Sequence, residues 1–211
     1  MNFLGHARLS LAGNDDFLFG NLIADGVRGS DLSDWSSEIE AGIRFHRRCD
    51  AVIDSHPETR WLLTQVPPAS RRVAGIALDM MWDHLLAGDM RDDDIERLYR
   101  LLAREDVPSR LASLIEWVEV RDALRRYREL DFTLSTIASI GERMTARRLA
   151  AKRIMPRQSL RGTHGAGGLD AGENPLAGIT PWLADNRALL QDSFARLWPD
   201  MLALRQHVVL G

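Results

Sequence analysis

The sequence predicts an all-α protein, built as one compact helical domain over residues 1–211. Hydrophobic residues recur at spacings of three and four through most of the chain, which is the period of an amphipathic helix. Proline, glycine and short polar clusters separate these stretches at distances typical of helix ends. No internal repeat and no convincing strand hairpin interrupts the pattern. At 211 residues the chain can bury a substantial core, and we expect about seven helices.

The composition indicates a soluble globular protein, because hydrophobic residues make up 45% of the chain and charged residues 27%. The net charge of −3 does not by itself indicate a partner. No apolar run approaches the roughly 18 residues of a membrane span, and His6 and Arg8 interrupt the first segment before a signal-peptide core could form. We therefore expect a cytoplasmic protein with no membrane and no nucleic-acid partner. Cys49 is the single cysteine, so it cannot form an internal disulfide.

Two short helical segments are predicted at the start of the chain. The first covers Met1 to Ser10 and is followed by the polar turn Gly13–Asp16. The second, Gly20–Gly29, carries Asn21 and Asp25 four residues apart on one face, between glycines that permit close backbone approach. Taken alone, Asp25 is more often a helix cap or a solvated residue. In this context it is a candidate for a buried polar site.

The next helix carries polar residues on its apolar stripe. Ser37 and Glu40 form a capping box that starts a helix running to about Ser55. Its stripe consists of Ile39, Ile43, His46, Asp50 and Ile53. His46 and Asp50 therefore occupy positions where isoleucines would be expected. A single buried histidine is more often a satisfied core residue than a ligand, so this helix alone does not decide between the two.

A second helix with the same property is predicted from Arg71 to Leu86, with Ser70 as its N-cap. Its stripe comprises Val73, Ile76, Met80 and Asp83. Asp79 and His84 flank the stripe, and they could also serve only as an ion-pair partner and a helix cap. Burying carboxylates without a positive partner costs several kcal/mol. Because two helices both turn histidine and aspartate inward, a shared metal ion is the more economical explanation.

Helices of the scaffold are predicted to start at Asp92 and at Pro108. The second of these should turn inward Leu111, Leu114, Ile115 and Val118. Neither helix carries a titratable or metal-binding residue on its apolar face, so we expect both helices only to help form the core.

The rest of the chain should form two long helices joined by a mobile surface loop. The first runs from Asp131 to about Met155 and has a basic outer face formed by Arg143, Arg147, Arg148, Lys152 and Arg153. The loop, Gly162–Gly178, holds six glycines and no hydrophobic period. The last helix spans Trp182 to about His207, and Pro199 should kink or divide it.

Four segments together resemble the acyl carrier protein phosphodiesterase family, also called acyl carrier protein hydrolase. The segments are NFLGH (Asn2–His6), GNLIAD (Gly20–Asp25), HRRCD (His46–Asp50) and LDMMWDH (Leu78–His84). The resemblance implies an all-helical fold similar to the HD phosphohydrolases, with histidines and aspartates around a divalent metal in a permuted order. It also implies the removal of 4′-phosphopantetheine from holo acyl carrier protein, which leaves the apo protein.

Phosphodiester hydrolysis requires a metal that acidifies water and cations that hold the remaining phosphate charge. The expected metal ligands are Asp25, His46, Asp83 and His84, with Mn²⁺ favoured and Mg²⁺, Fe or Zn as alternatives. The expected catalytic residues are Asp79, Asp50 and Arg47, the arginine acting as a phosphate clamp. The expected substrate-binding residues are His6, Asn21, Arg48, Arg147 and Arg148, the last two meeting the acidic carrier protein.

Two other functions fit the same residues. An HD-like phosphohydrolase could keep the metal and act on a nucleotide or another small phosphoester. A non-enzymatic helical module could use its arginines to bind an acidic protein, with the inward acids serving only as structural ion pairs. A stoichiometric divalent ion would separate this last function from the first two.

Overall fold

Helices account for most of the chain in the computed structural model, which describes residues 3–154, 174 and 176–207, with the side chains of all but 147–154, 206 and 207. The α-helices are α1 (Phe3–Ser10), α2 (Asp15–Ile23), α3 (Ser37–Ser55), α4 (Pro57–Gln65), α5 (Ala74–Ala87), α6 (Asp92–Leu102), α7 (Ala112–Val120), α8 (Ala123–Arg126), α9 (Leu130–Ile154), α10 (Thr180–Asp185) and α11 (Arg187–Ala203). No strand occurs among these residues. The all-α prediction is confirmed, with more and shorter helices than expected.

Helix starts follow from side chains that satisfy the first free backbone N–H groups. The side chain of Asn14 accepts the N–H of Phe17 at 2.8 Å and caps α2. At α3 the cap is Ser36, which accepts the N–H of Ile39, and the prediction of Ser37 was wrong by one residue. The N-cap predicted at Ser70 is also wrong, because Pro68–Val73 forms 3₁₀ turns and α5 begins only at Ala74.

Two glycines bring α2 and α3 into close backbone contact. A Cβ atom at Gly20 would lie 2.1 Å from the carbonyl oxygen of Ile39, and one at Gly42 would lie 2.1 Å from the carbonyl oxygen of Phe17. No side chain fits at either position, so glycine is required for this approach. The consequence is that α2 runs directly alongside the first half of α3.

The core is one cluster of buried apolar side chains around α5, which packs against α1, α9 and α11. Trp82 of α5 is fully enclosed and stacks on Phe194 of α11 at 5.2 Å between ring centroids. Two side chains predicted to face the core do not: Ile76 is 38% exposed and Leu114 is 41% exposed. Both line an open cavity.

The C-terminal part differs from the prediction in where its helix is divided. The break falls at Asn186, between α10 and α11, and Pro199 lies inside α11 without ending it. The predicted loop Gly162–Gly178 lies outside the described residues except for 174 and 176–178. Within it, the side chain of Asn174 accepts the N–H groups of Leu176 and Ala177. None of the described helices has the length and apolar character needed to cross a membrane.

Candidate metal and phosphoester site

Three neighbouring segments bring two histidines and two aspartates together. His6 lies on α1, Asp25 lies in the 3₁₀ turn Ala24–Gly26 that follows α2, and His46 and Asp50 lie one turn apart on α3. The rings of His6 and His46 stack with their centroids 3.7 Å apart and their planes within 12°. Nε2 of His6 lies 3.0 Å from Oδ1 of Asp50. We call these four residues the His/Asp cluster.

The orientation of His46 is set by the backbone of α2. Its Nδ1 lies 2.8 Å from the carbonyl oxygen of Asn21, and because a carbonyl only accepts, Nδ1 carries the proton and donates it. Its Nε2 then faces Oδ2 of Asp50 at 3.1 Å and Oδ1 of Asp25 at 3.3 Å. Neither carboxylate is aligned for a hydrogen bond with this nitrogen, although the nitrogen is buried. Nε2 of His46 therefore points between two negative groups.

Other buried polar atoms beside the cluster also lack a hydrogen-bond partner. They are Nδ1 of His6 and Oδ1 of Asn21, whereas the amide nitrogen of Asn21 donates to the carbonyl oxygen of His6 at 3.1 Å. His6, Asn21, Asp25 and His46 line a common cavity of about 30 Å³. Buried polar atoms almost always have partners, and a cavity of this size holds about one water or ion. The arrangement is that of a small polar binding site.

The charges in the cluster are strongly coupled. Burial alone would lower the pKa of His46, but the carboxylates of Asp25 and Asp50 outweigh it and raise that pKa to about 9. Burial lowers the pKa of His6 to about 4. Burial would raise the pKa of Asp50, but the two imidazoles hold it well below its usual range. At neutral pH without a metal, His46 is therefore cationic and His6 is neutral.

The donor set fits a divalent metal. One nitrogen from each of His6 and His46 and one oxygen of Asp50 all lie within 4.8 Å of one another. Ligands on adjacent vertices of an octahedron of 2.0–2.1 Å radius are about 3 Å apart. Nε2 of His6 lies 3.0 Å from Oδ1 of Asp50, and Nε2 of His46 lies 3.1 Å from Oδ2 of Asp50 and 3.3 Å from Oδ1 of Asp25, so the separations in the His/Asp cluster are close to that value. Nδ1 of His46 donates to a backbone carbonyl, as metal-ligating histidines usually do. Within the part of the chain that the structure describes, no other group of three such residues meets this distance.

Two of the predicted metal ligands, Asp83 and His84, lie outside the His/Asp cluster. Asp83 is fully buried on α5, and its two oxygens accept the N–H groups of Leu4 at 3.0 Å and Gly5 at 2.9 Å. These are N–H groups of the first turn of α1, so the carboxylate holds the start of the helix that carries His6. Burial raises the pKa of Asp83 to about 7. Nδ1 of His84 lies 2.8 Å from the carbonyl oxygen of Tyr127.

Comparison with known proteins identifies the family to which this chain belongs. A family profile described as acyl carrier protein phosphodiesterase matches residues 1–161. This chain belongs to the acyl carrier protein phosphodiesterase family. It is 37% identical over 161 residues to an acyl carrier protein phosphodiesterase of Klebsiella pneumoniae, covering 70% of this chain and 83% of that relative. It is 35% identical over 153 residues to one of Escherichia coli O6:H1, covering 68% and 79% respectively.

The region matched to the acyl carrier protein phosphodiesterase family contains the whole His/Asp cluster. No solved structure matches the chain, so the likeness to HD phosphohydrolases stays a prediction. The sequence patterns pointed to all four cluster residues, but His6 was expected in the substrate pocket and Asp50 among the catalytic residues. The closeness of His6 to His46 depends on how α1 packs on α3, which no periodicity in the sequence encodes, whereas Asp50 lies one turn from His46 on the same helix.

Arginines hold the turn that carries Asp25. Nη2 of Arg47 donates to the carbonyl oxygen of Val27 at 3.1 Å, and Nη1 of Arg110 donates to that of Gly26 at 3.4 Å. Arg48, one residue after Arg47, is exposed. The side chains of the predicted docking residues Arg147 and Arg148 lie outside the described residues.

A second, larger cavity of about 240 Å³ adjoins the first. Phe3, Asp25 and Leu114 line both cavities, so the two spaces meet at these side chains. Asp79, predicted as catalytic, lies in the wall of the larger cavity, and burial raises its pKa. The structure thus places Asp79 beside the cluster and not within it.

Proposed function

We propose that this protein is a metal-dependent phosphodiesterase that removes 4′-phosphopantetheine from holo acyl carrier protein and leaves the apo protein. The observation that carries the proposal is the convergence of three possible metal ligands, since one nitrogen from each of His6 and His46 and one oxygen of Asp50 all lie within 4.8 Å of one another. Membership of the acyl carrier protein phosphodiesterase family supports holo acyl carrier protein as the substrate.

In this proposal His6, His46 and Asp50 hold the metal, and Asp25 is the fourth ligand. The side chain of Asp25 is 75% exposed, so it is the member that reaches towards substrate. Oxygen and imidazole donors favour Mn²⁺ or Mg²⁺, with Fe or Zn as alternatives. When bound, the ion would acidify a water molecule and offset the negative charge of the phosphate.

The residues around the cluster position the phosphodiester and move protons. Arg47 keeps guanidinium donors beyond the one used on Val27, so it remains our candidate for holding a phosphate oxygen. The raised pKa of Asp79 suits a carboxyl group that donates a proton to the departing ester oxygen. Asp83 orients α1, so its contribution to the site passes through the position of His6. Arg48, Arg147 and Arg148 remain candidates for contact with the acidic carrier.

The decisive experiment incubates holo acyl carrier protein with the Mn²⁺-loaded protein and detects the loss of the phosphopantetheine group by mass spectrometry. Asp50→Asn should lose stoichiometric metal binding and reduce turnover about 100-fold or more. The matched control is Asp200→Asn, which removes the exposed carboxylate paired with His56 at 3.2 Å and should change neither quantity.

Each contrary result identifies an alternative. Failure of the wild-type protein to retain or rebind an ion would contradict the metal site. Hydrolysis of small phosphoesters but not of the holo carrier would favour a nucleotide or other small phosphoester as substrate. Binding of the carrier without hydrolysis of any diester would favour the non-enzymatic helical module.

A further inference from the structure

The larger cavity beside the cluster has a mainly apolar wall. Seven of its eleven lining residues are apolar or aromatic: Phe3, Ile76, Met80, Leu114, Trp117, Tyr127 and Ile140. Ile76 and Leu114 are two of the four large apolar side chains that are exposed in the described part of the chain. Exposed apolar side chains gathered around one space usually mark a binding site. This space opens directly beside Asp25.

We propose that this cavity binds the pantetheine arm of the substrate, with the phosphate end of the arm at Asp25. The inference rests on the proposed function, because it uses the His/Asp cluster as the place where the phosphodiester is cut. The diester has two branches, one to a serine of the carrier and one to pantetheine. A folded carrier cannot enter a cavity of about 240 Å³, whereas a single linear arm can.

The chemistry of the wall matches that of the arm. Next to its phosphate, pantetheine has a methylene group followed by a carbon that bears two methyl groups, and this apolar part would meet Phe3 and Leu114, where the two cavities join. Two amide groups follow along the arm, and a buried amide needs hydrogen-bond partners. Thr136 and Arg143 place a hydroxyl and a guanidinium group in the same wall, so both an acceptor and donors are present.

The cavity also gives the enzyme a way to distinguish its substrate from simpler phosphodiesters. A small diester would reach the metal without filling the cavity, so it would gain none of the binding energy of the arm. The contribution of the arm is measured by how much more tightly 4′-phosphopantetheine binds than inorganic phosphate, because both ligands place the same group at the metal.

The test fills the cavity from its exposed edge with Ile76→Trp, and uses Val120→Trp as the matched control. Val120 is 77% exposed, lies at the end of α7 and does not line the cavity. Calorimetry on Mn²⁺-loaded protein would measure the affinities for 4′-phosphopantetheine and phosphate. We expect the ratio of the two affinities to fall about tenfold or more in Ile76→Trp and to be unchanged in Val120→Trp.

Kinetics provide an independent readout. In Ile76→Trp, kcat/KM for the holo carrier should fall about tenfold or more, whereas hydrolysis of bis(4-nitrophenyl) phosphate should stay within about twofold of wild type. If Ile76→Trp does not fold, Ile140→Trp fills the cavity from α9 and carries the same expectations, because Ile140 does not line the smaller cavity of the cluster.

Two results would overturn the proposal. One is a wild-type protein that binds 4′-phosphopantetheine no more tightly than phosphate. The other is an equal affinity ratio in Ile76→Trp and Val120→Trp. Failure of the proposed function would appear separately, as a wild-type protein that does not hydrolyse the holo carrier, because calorimetry still measures the cavity without turnover.

Discussion

Replacing Gly20 with alanine tests whether the close approach of α2 and α3 builds the site. The new Cβ atom would lie 2.1 Å from the carbonyl oxygen of Ile39, whereas ordinary van der Waals contact begins at 3.4 Å. The difference, 3.4 − 2.1 = 1.3 Å, is the separation that the two helices must gain. Both sides of this contact are backbone, so no flexible side chain can absorb the change.

The displacement affects the site as well as the fold. Overpacking of this kind costs roughly 1–3 kcal/mol or more, against which alanine recovers about 1 kcal/mol of helix propensity. Asn21 follows Gly20 directly, so its carbonyl oxygen would move away from Nδ1 of His46, now 2.8 Å distant. Loss of the group that orients a metal-binding histidine typically lowers metal affinity about 10- to 100-fold.

The assay measures urea unfolding and Mn²⁺ affinity for Gly20→Ala and for a matched helical glycine. Gly75→Ala in α5 is the control, because a Cβ atom there meets nothing within 4 Å. We expect Gly75→Ala to keep the wild-type stability or gain up to about 1 kcal/mol, with metal affinity unchanged. Equal stability and equal metal affinity in the two variants would refute the argument.

Three further predictions concern protons and charges. The pKa of His46 is raised to about 9 and a metal binds only the neutral ring, so Mn²⁺ binding at pH 7 should release about one proton. Calorimetry in buffers of different ionisation enthalpy measures this release, and binding without proton release would contradict the prediction. The pKa of Asp83 rises to about 7 on folding, so its contribution to the free energy of unfolding should fall by up to about 1.4 kcal/mol per pH unit from pH 4 to 7. Denaturant titrations should show this slope for wild type relative to Asp83→Asn, and parallel curves would disprove it. Arg147→Glu with Arg148→Glu should lower kcat/KM for the holo carrier about tenfold and weaken its salt dependence. A matching loss on a small diester would contradict a docking role for this pair.

Helical periodicity predicted which polar side chains face inward better than it predicted which groups they contact. His46 and Asp50 stand where the stripe of α3 calls for isoleucines, and the structure places both in the cluster. The same rule placed Asp83 on the stripe of α5, and that side chain is fully buried. Periodicity indicates that an acidic side chain faces inward. Its hydrogen-bond partner depends on which neighbouring helix begins or ends beside it. For Asp83 the partner is the first turn of α1.

The remaining differences have local causes. Ser36 and Ser37 are both good caps, and the choice depends on the extended backbone at Ser36, which the sequence pattern does not reveal. Ile76 and Leu114 obey the helical period but stay exposed, because a stripe predicts the direction of a side chain and not whether another helix covers it. The cavity that these residues line was therefore not predictable from the sequence.

In the proposed site a proton and a metal ion would compete for the same nitrogen of His46, so we expect the His/Asp cluster to stay folded with or without the ion. Without the ion, a protonated His46 places one positive charge between Asp25 and Asp50 and offsets the repulsion between these two carboxylates. With the ion bound, His46 would be neutral and the two positive charges of the metal would take the place of the proton's one. The stacked ring of His6 stays neutral in both states, since its pKa of about 4 lies far below neutral pH. Loss of metal should therefore abolish activity without unfolding the protein, whereas replacing His46 with an uncharged residue should impair both.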